Sequence, residues 1–155
     1  MPKIHVMIKP ASGLCNMRCK YCFYVDEMGK RSQASYGIMT TDTLEQVIRE
    51  TFAFAEKECT IAFQGGEPTL AGLDFFRKCL SFEKRYNTKK IRVIHTLQTN
   101  GYVLDEEWYS FFAENHFLIG LSIDGIKATH DPYRKDVHGQ DTYFHTLEAA
   151  RGLER

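Results

Sequence analysis

The 155-residue sequence has no excess of charge of either sign, with 20 Lys and Arg against 20 Asp and Glu. That removes the electrostatic footprint by which proteins grip nucleic acid or anionic membranes, and neither is expected as a partner. No apolar run approaches the ~18 residues that a membrane helix needs. The opening Met1-Pro2-Lys3-Ile4-His5 has a single basic residue and no apolar stretch behind it. It does not read as a secretory signal, so a cytoplasmic location is expected. No Gly-, Ser- or Pro-rich linker, low-complexity tract or short repeat divides the chain. What remains is globular composition, 43% hydrophobic and 26% charged, at the length of one ordinary domain.

Five cysteines are an odd number for a disulfide framework, and Cys15, Cys19 and Cys22 crowd into eight residues. Inside cells such a group points to metal or catalysis rather than to disulfides. Cys59 and Cys79 stand alone in apolar stretches and are expected to be small buried hydrophobes.

Four apolar runs read as strands: Ile4–Ile8, Thr60–Phe63, Ile91–Leu97 and Phe117–Ile123. Helical periodicity fills the intervals. Leu44, Val47, Ile48, Phe52 and Ala55 make one stripe, and Phe75, Phe76, Cys79, Leu80 and Phe82 another, after Pro68. A third helix opens at Asp105 as N-cap, with Leu104 and Tyr109 placed as a staple and Asn115 as terminator. A fourth begins near Thr142. Strand–helix alternation of this kind gives an α/β fold with a parallel sheet and right-handed crossovers. The spacing of the later strands matches the roughly 30 residues per βα unit of a barrel, and the first unit is longer by about 25. The chain stops at Arg155 within the fourth helical pattern. Four βα units do not close an eight-stranded barrel. Residues 1–155 therefore read as the N-terminal portion of a longer protein, with a complete four-unit flavodoxin-like sheet as the structural alternative.

The segment Cys15-Asn16-Met17-Arg18-Cys19-Lys20-Tyr21-Cys22 has the spacing C-x3-C-x2-C and lies just beyond the carboxyl end of the first strand, where α/β proteins place their active sites. Three close thiolates each suit one iron of a cubic cluster and leave a fourth iron without a cysteine, as an open catalytic site requires. The alternative is a zinc-stabilised, non-enzymatic module. It must recruit a distant ligand such as His5 or His95, because structural zinc uses paired ligands.

C-x3-C-x2-C with Tyr21 before the last cysteine resembles the radical S-adenosylmethionine (SAM) superfamily. Lys9-Pro10-Ala11-Ser12-Gly13-Leu14-Cys15, Tyr21-Cys22-Phe23-Tyr24 and Phe63-Gln64-Gly65-Gly66-Glu67-Pro68-Thr69-Leu70 narrow the resemblance to the anaerobic sulfatase-maturating enzymes. Gln98-Thr99-Asn100-Gly101, Leu121-Ser122-Ile123-Asp124-Gly125 and His130-Asp131-Pro132-Tyr133-Arg134 agree, so the resemblance covers nearly the whole chain.

The resemblance implies an incomplete parallel (β/α) barrel of the radical SAM type, with about four βα units present. It implies a [4Fe-4S] cluster held by Cys15, Cys19 and Cys22 with one non-cysteine iron, and SAM bound there. Gly66 would approach the amino group of SAM, Ser122 its ribose or methionyl portion, Arg134 its carboxylate and Tyr21 its adenine side, while Tyr21 and Phe23 pack the cluster loop. Tyr24 and Gln64 would face the substrate residue. Asp124, in a good Asp-Gly turn, is the lesser candidate beside Ser122. The implied reaction is oxidation of a cysteine or serine in a sulfatase polypeptide to Cα-formylglycine through a 5′-deoxyadenosyl radical, with flavodoxin or ferredoxin as electron donor. Radical modification of a different peptide is the neighbouring possibility. Family members also carry auxiliary 4Fe-4S clusters and an acidic general base in a C-terminal region, so the base is expected beyond Arg155, and 1–155 alone is expected to lack full turnover. The histidines show no paired metal spacing. Lys30-Arg31 and Lys89-Lys90 read as solvated surface, as do Asp131, Lys135 and Asp136 around Arg134.

Overall fold

The computed structural model describes residues 3–154; Met1, Pro2 and Arg155, at the two ends discussed above, lie outside the described residues. Four parallel strands form one sheet: β1 (Ile4–Ile8), β2 (Glu58–Phe63), β3 (Arg92–Thr99) and β4 (Leu118–Leu121). Each pairs with its neighbour in sequence, Ile4 opposite Cys59, Cys59 opposite Val93 and Thr96 opposite Leu118. Strand order 1-2-3-4 is that of a barrel wall. A flavodoxin-like sheet would double back at its first strand, so that alternative is set aside. The fourth strand is shorter than the sequence pattern suggests. Phe117 precedes it, and Ser122 and Ile123 follow it.

Burial alternates along β2, with Cys59, Ile61 and Phe63 buried and Thr60 and Ala62 only partly so. That period of two assigns the faces. The buried face meets α2 (Thr41–Phe54) through Leu44, Ile48 and Phe52, α3 (Leu73–Tyr86) through Phe75, Phe76 and Cys79, and α4 (Glu106–Glu114) through Trp108, Phe111 and Phe112. Phe76 sits at the centre, its ring 5.0 Å from Phe63 and 5.4 Å from Trp108. Truncating so enclosed a ring costs about 3–5 kcal/mol. Parallel sheets are covered on both faces. The Thr60, Ala62, Ile94, Thr96 and Gln98 face is the one that a closed barrel turns inward.

Two short helices carry no usable pattern. Helix α1 (Phe23–Lys30) buries no residue, so there is no apolar stripe to read, and α5 (Lys127–His130) is a single turn. Helix α6 (Tyr143–Leu153) starts after Thr142 as expected. Pro68 opens a 3-10 turn over Pro68–Ala71, and α3 begins only after Gly72. Lys89 is not simply solvated. Its Nζ donates to the carbonyls of Ala53 (3.0 Å) and Ala55 (2.9 Å), which closes the C-terminus of α2. Among the described residues, no helix is long and apolar enough to cross a membrane.

Candidate active site at the carboxyl edge of the sheet

The loop after β1 is held by the strap that follows α5. Arg18 N donates to Lys135 O (2.7 Å) and Lys20 N to Tyr133 O (2.8 Å), and Met17, 1% exposed, bridges to Asp136. These bonds hold Cys15, Cys19 and Cys22 on one side of a short ladder that has Arg134 on the other. All three thiols are free and half-buried. Burial raises the pKa of Cys15, with the Met17 N–H opposing it and Glu67 adding to it. Burial also raises that of Cys19, against the pull of the Arg134 guanidinium.

The loop after β2 docks onto this segment. Gly66 has φ 57°, and a Cβ there would collide with the Leu14 carbonyl, so glycine is required twice over. Glu67 N donates to that same carbonyl (2.8 Å). The Glu67 side chain, 1% exposed, ties the exits of β2 and β3 together. Its Oε1 accepts from Thr69 N, Thr69 Oγ1 (2.7 Å) and Thr99 Oγ1 (2.8 Å), and its Oε2 from Asn100 N (2.8 Å). Burial pushes its pKa up while these donors pull it down.

At the β4 exit, Ser122 N donates to Thr99 O (2.9 Å), and Gln98 Nε2 donates to Ser122 Oγ (2.9 Å). Gln98 lies across Gly120, where any Cβ would meet its amide.

Arg134 reads as part of a surface loop by its neighbours, but it is 7% exposed, and Asp131 and Asp136 are buried beside it. Its Nη1 donates to Tyr21 Oη (2.8 Å), and that hydroxyl donates to Asp124 Oδ2 (2.5 Å). Asp124 is therefore more than a turn residue. His130 is fully buried, accepts from Asp124 N at Nδ1 (3.3 Å) and meets Thr142 Oγ1 at Nε2 (3.0 Å). Burial and the nearby Arg134 charge keep its pKa low, so the strap is carried on a neutral imidazole. Among the described residues, two buried donors have no protein partner, Arg134 Nε and Asn16 Nδ2. A buried unpaired donor is costly unless something else accepts from it.

Cys15, Cys19, Cys22, Tyr21, Tyr24, Gln64, Gly66, Ser122 and Arg134 line a single cavity of about 160 Å³. A larger cavity of about 570 Å³ between α4, β4 and α6 gathers none of them. Phe23 departs from expectation: it is 65% exposed and meets only the ring of Tyr24 edge-on (5.6 Å), outside the cavity lining. His95, one of the two histidines named for a zinc centre, is instead bound to Glu83 (2.9 Å) under the ring of Phe117. Among the described residues, no group of three or more His, Cys, Asp or Glu converges as a single metal ion requires.

The model of the radical SAM superfamily matches residues 10–154. The chain belongs to the radical SAM superfamily. It is 48% identical over 155 residues to a cysteine-type anaerobic sulfatase-maturating enzyme of Clostridium novyi, covering all of this chain and 41% of that protein. It is 35% identical over 153 residues to a serine-type enzyme of Klebsiella aerogenes, covering 97% and 36%. The solved structure "Native anSMEcpe with bound AdoMet" superposes with a TM-score of 0.92 at 44% identity, over 99% of this chain and 41% of that one. The chain thus spans about two fifths of the length of the curated relatives it matches. Its four parallel strands are those of an incomplete radical SAM barrel.

Radical SAM membership implies an iron–sulfur cluster and SAM as cofactors. The donor chemistry fits them. Three free thiols face a cavity whose rim holds a buried guanidinium with an unsatisfied N–H, and a second unsatisfied amide N–H lies beside Cys15. Sequence reasoning passed over Asn16, Glu67, Gln98 and Asn100 as individuals. The blocks Gly65–Pro68 and Gln98–Gly101, each just past a strand end, were the available signal.

Proposed function

We propose that residues 1–155 form the N-terminal portion of the radical SAM core of an anaerobic sulfatase-maturating enzyme, oxidising a cysteine or serine of a sulfatase polypeptide to Cα-formylglycine. The observation that carries this reading is the convergence on one cavity of nine residues drawn from loops as far apart in sequence as Cys15 and Arg134. It is supported by 48% identity to a protein that bears that name and by likeness to a relative solved with AdoMet and a Cp18Cys peptide.

Cys15, Cys19 and Cys22 would hold a [4Fe-4S] cluster, leaving one iron free of cysteine. When bound, the cluster and SAM supply a carbon-centred radical oxidant that takes a hydrogen atom from the target β-carbon. Arg134 orients the cofactor's carboxylate, its Nε offering a donor already stripped of water. The backbone about Gly66 meets the cofactor's ammonium, because only a residue without Cβ lets the β2 exit lie against Leu14. Ser122, oriented by Gln98, donates to the ribose or methionyl portion. Tyr21 borders the adenine side with its hydroxyl fixed between Arg134 and Asp124. Tyr24 and Gln64 face the target side chain. The general base and the auxiliary clusters belong to the longer protein, as do the contacts with a flavodoxin or ferredoxin donor in the cytoplasm.

The test is anaerobic incubation of the longer protein with reductant, SAM and a sulfatase-derived peptide, followed by mass spectrometry. Formation of the peptide aldehyde alongside methionine is the expected result. Cleaved SAM beside an unmodified peptide would move the assignment to another peptide substrate. A protein that retains zinc without iron or sulfide would remove the radical reading altogether.

A further inference from the structure

Cys15 Sγ receives two N–H donors from other residues, one local and one from a distant loop. Met17 N approaches it at 3.4 Å and Asn100 Nδ2 at 3.6 Å. The second contact is built by the fold rather than by local loop geometry, since 85 residues separate its partners. Asn100 is 6% exposed and fixed on every side. Its N–H donates to Glu67 Oε2 (2.8 Å), its carbonyl accepts from Thr146 Oγ1 (3.3 Å), and its side-chain Oδ1 accepts from Tyr102 N (2.9 Å). Because Oδ1 is committed to Tyr102, the amide is aimed in one sense only. Nδ2 must face the cysteine loop, where it also donates to Asn16 Oδ1 (2.8 Å). That Oδ1 also lies 3.9 Å from Cys15 Sγ, so Asn16 fixes the Asn100 amide against the cysteine, while the Asn16 Nδ2 is buried with no partner among the described residues.

We infer that Asn100, backed by Asn16, is a positioning residue that sets the reduction potential of the cluster by donating to the sulfur of Cys15. The inference rests on the cluster assignment made above. An N–H aimed at a cysteinyl sulfur stabilises whichever oxidation state carries more negative charge there. Adding an electron puts more charge on the cluster and its ligands, so the donor favours the reduced form and raises the potential. In a radical enzyme that must be reduced by a weak donor, the effect lies directly on the electron-entry step.

The experiment is a potentiometric titration of the anaerobically reconstituted protein, followed by the electron paramagnetic resonance of the reduced cluster. Asn100→Leu removes the donor. Asn100→Asp keeps an acceptor for Tyr102 N while replacing the donor, and Asn16→Leu removes the second amide without touching the Glu67 or Tyr102 bonds. Asn100→Leu is expected to lower the reduced-to-oxidised ratio at a fixed potential about tenfold, a midpoint shift of about 59 mV for one electron. Asn100→Asp shifts in the same direction, and Asn16→Leu does so by less. Unchanged midpoints with iron content equal to the parent protein would overturn the inference and leave the cluster assignment standing. Loss of iron from a variant with unchanged circular dichroism would overturn it too, making Asn100 a support of the loop. If the Asn100 variants do not fold, the sign of the Asn16→Leu shift decides. A parent protein that takes up no iron and sulfide would sink the cluster assignment itself.

Discussion

Cys59 and Cys79 are shut beneath the helices at 0% and 1% exposure, whereas Cys15, Cys19 and Cys22 stand half-buried around a cavity. Burial raises the pKa in both regions, but what surrounds each thiol differs. In the core nothing opposes the effect: burial and the Glu83 charge hold Cys59 at about 11, and for Cys79 the same two causes act with a hydrogen bond from Sγ to Glu83 (3.4 Å) besides. In the loop the Arg134 guanidinium and the Met17 N–H pull the other way. One side chain thus serves as a packing atom in one region and lines an open cavity in the other. The difference is made by one cation that arrives from a distant segment, Arg134, and by the local N–H of Met17.

The sharpest way to break that comparison is to remove one cysteine from each region. Cys19→Ala is expected to abolish stoichiometric iron and sulfide after anaerobic reconstitution, while Cys79→Ala loads normally. The core variant should lose only about 1–2 kcal/mol in urea denaturation, the low end for deleting buried atoms. Equal loss of cluster from both would erase the distinction between the regions.

A second, smaller effect tests the carboxylates in the same way. Glu67→Ala leaves the buried Thr69 N, Thr99 Oγ1 and Asn100 N without acceptors. Its expected cost is roughly 3 kcal/mol, from desolvated donors at about 1–3 kcal/mol each with partial relief by water. Glu67→Gln keeps the shape and one acceptor and should recover most of the stability. A Glu67→Ala protein as stable as its parent would show that the strand exits are held by the glycine turn alone.

Why some of this was legible in the sequence and some was not follows from the range of the forces. The sheet was readable because its signal is local. Cys59, Ile61 and Phe63 alternate with Thr60 and Ala62, and the stripe from Leu44 to Phe52 needs only helical spacing. The cysteine loop was readable because its three thiols stand within eight residues of one another. Helix α1 was not, since it buries nothing. The strap around Arg134 was misread for a different reason. Asp131 and Asp136 have the composition of a solvated loop, yet Asp136 Oδ1 accepts from His138 N and Gln140 N (2.8 Å each), and Asp131 Oδ1 from Thr142 N and Tyr143 N. A carboxylate reads the same in sequence whether water or backbone satisfies it. Asn16 and Asn100 were invisible individually because 84 residues separate the partners of the hydrogen bond that joins them.

The smallest expected effect comes from the way the two regions are fastened. The core is held mainly by apolar contacts around the single His95–Glu83 pair, whereas the strap bearing Arg134 is fastened by several ion pairs: Lys127 with Asp131 (2.5 Å) and Asp141 (2.8 Å), and Lys135 with Asp141. Lys127 and Lys135 hold Asp141 at about 2, below the ~3.9 of an unfolded aspartate. Burial alone would raise Asp131, but Lys127 and the N–H groups of Tyr143 and Thr142 keep it low. A carboxylate whose pKa is lower when folded contributes stability that is fully present above the unfolded value and is lost as pH falls through the folded one. The strap should therefore loosen between about pH 4 and pH 2. The change is modest, because Asp141 is solvated and its pairs are screened. Hydrogen exchange read by mass spectrometry, corrected for the intrinsic pH dependence of the rates, should show residues 127–142 losing protection in that window before β2 and β3 do. The loss should be smaller in 0.5 M salt, because screening weakens the pairs whose protonation drives it. Simultaneous loss of protection in the strap and the sheet would mean that the site region and the core unfold as one unit, and that their different fastenings have no separate consequence.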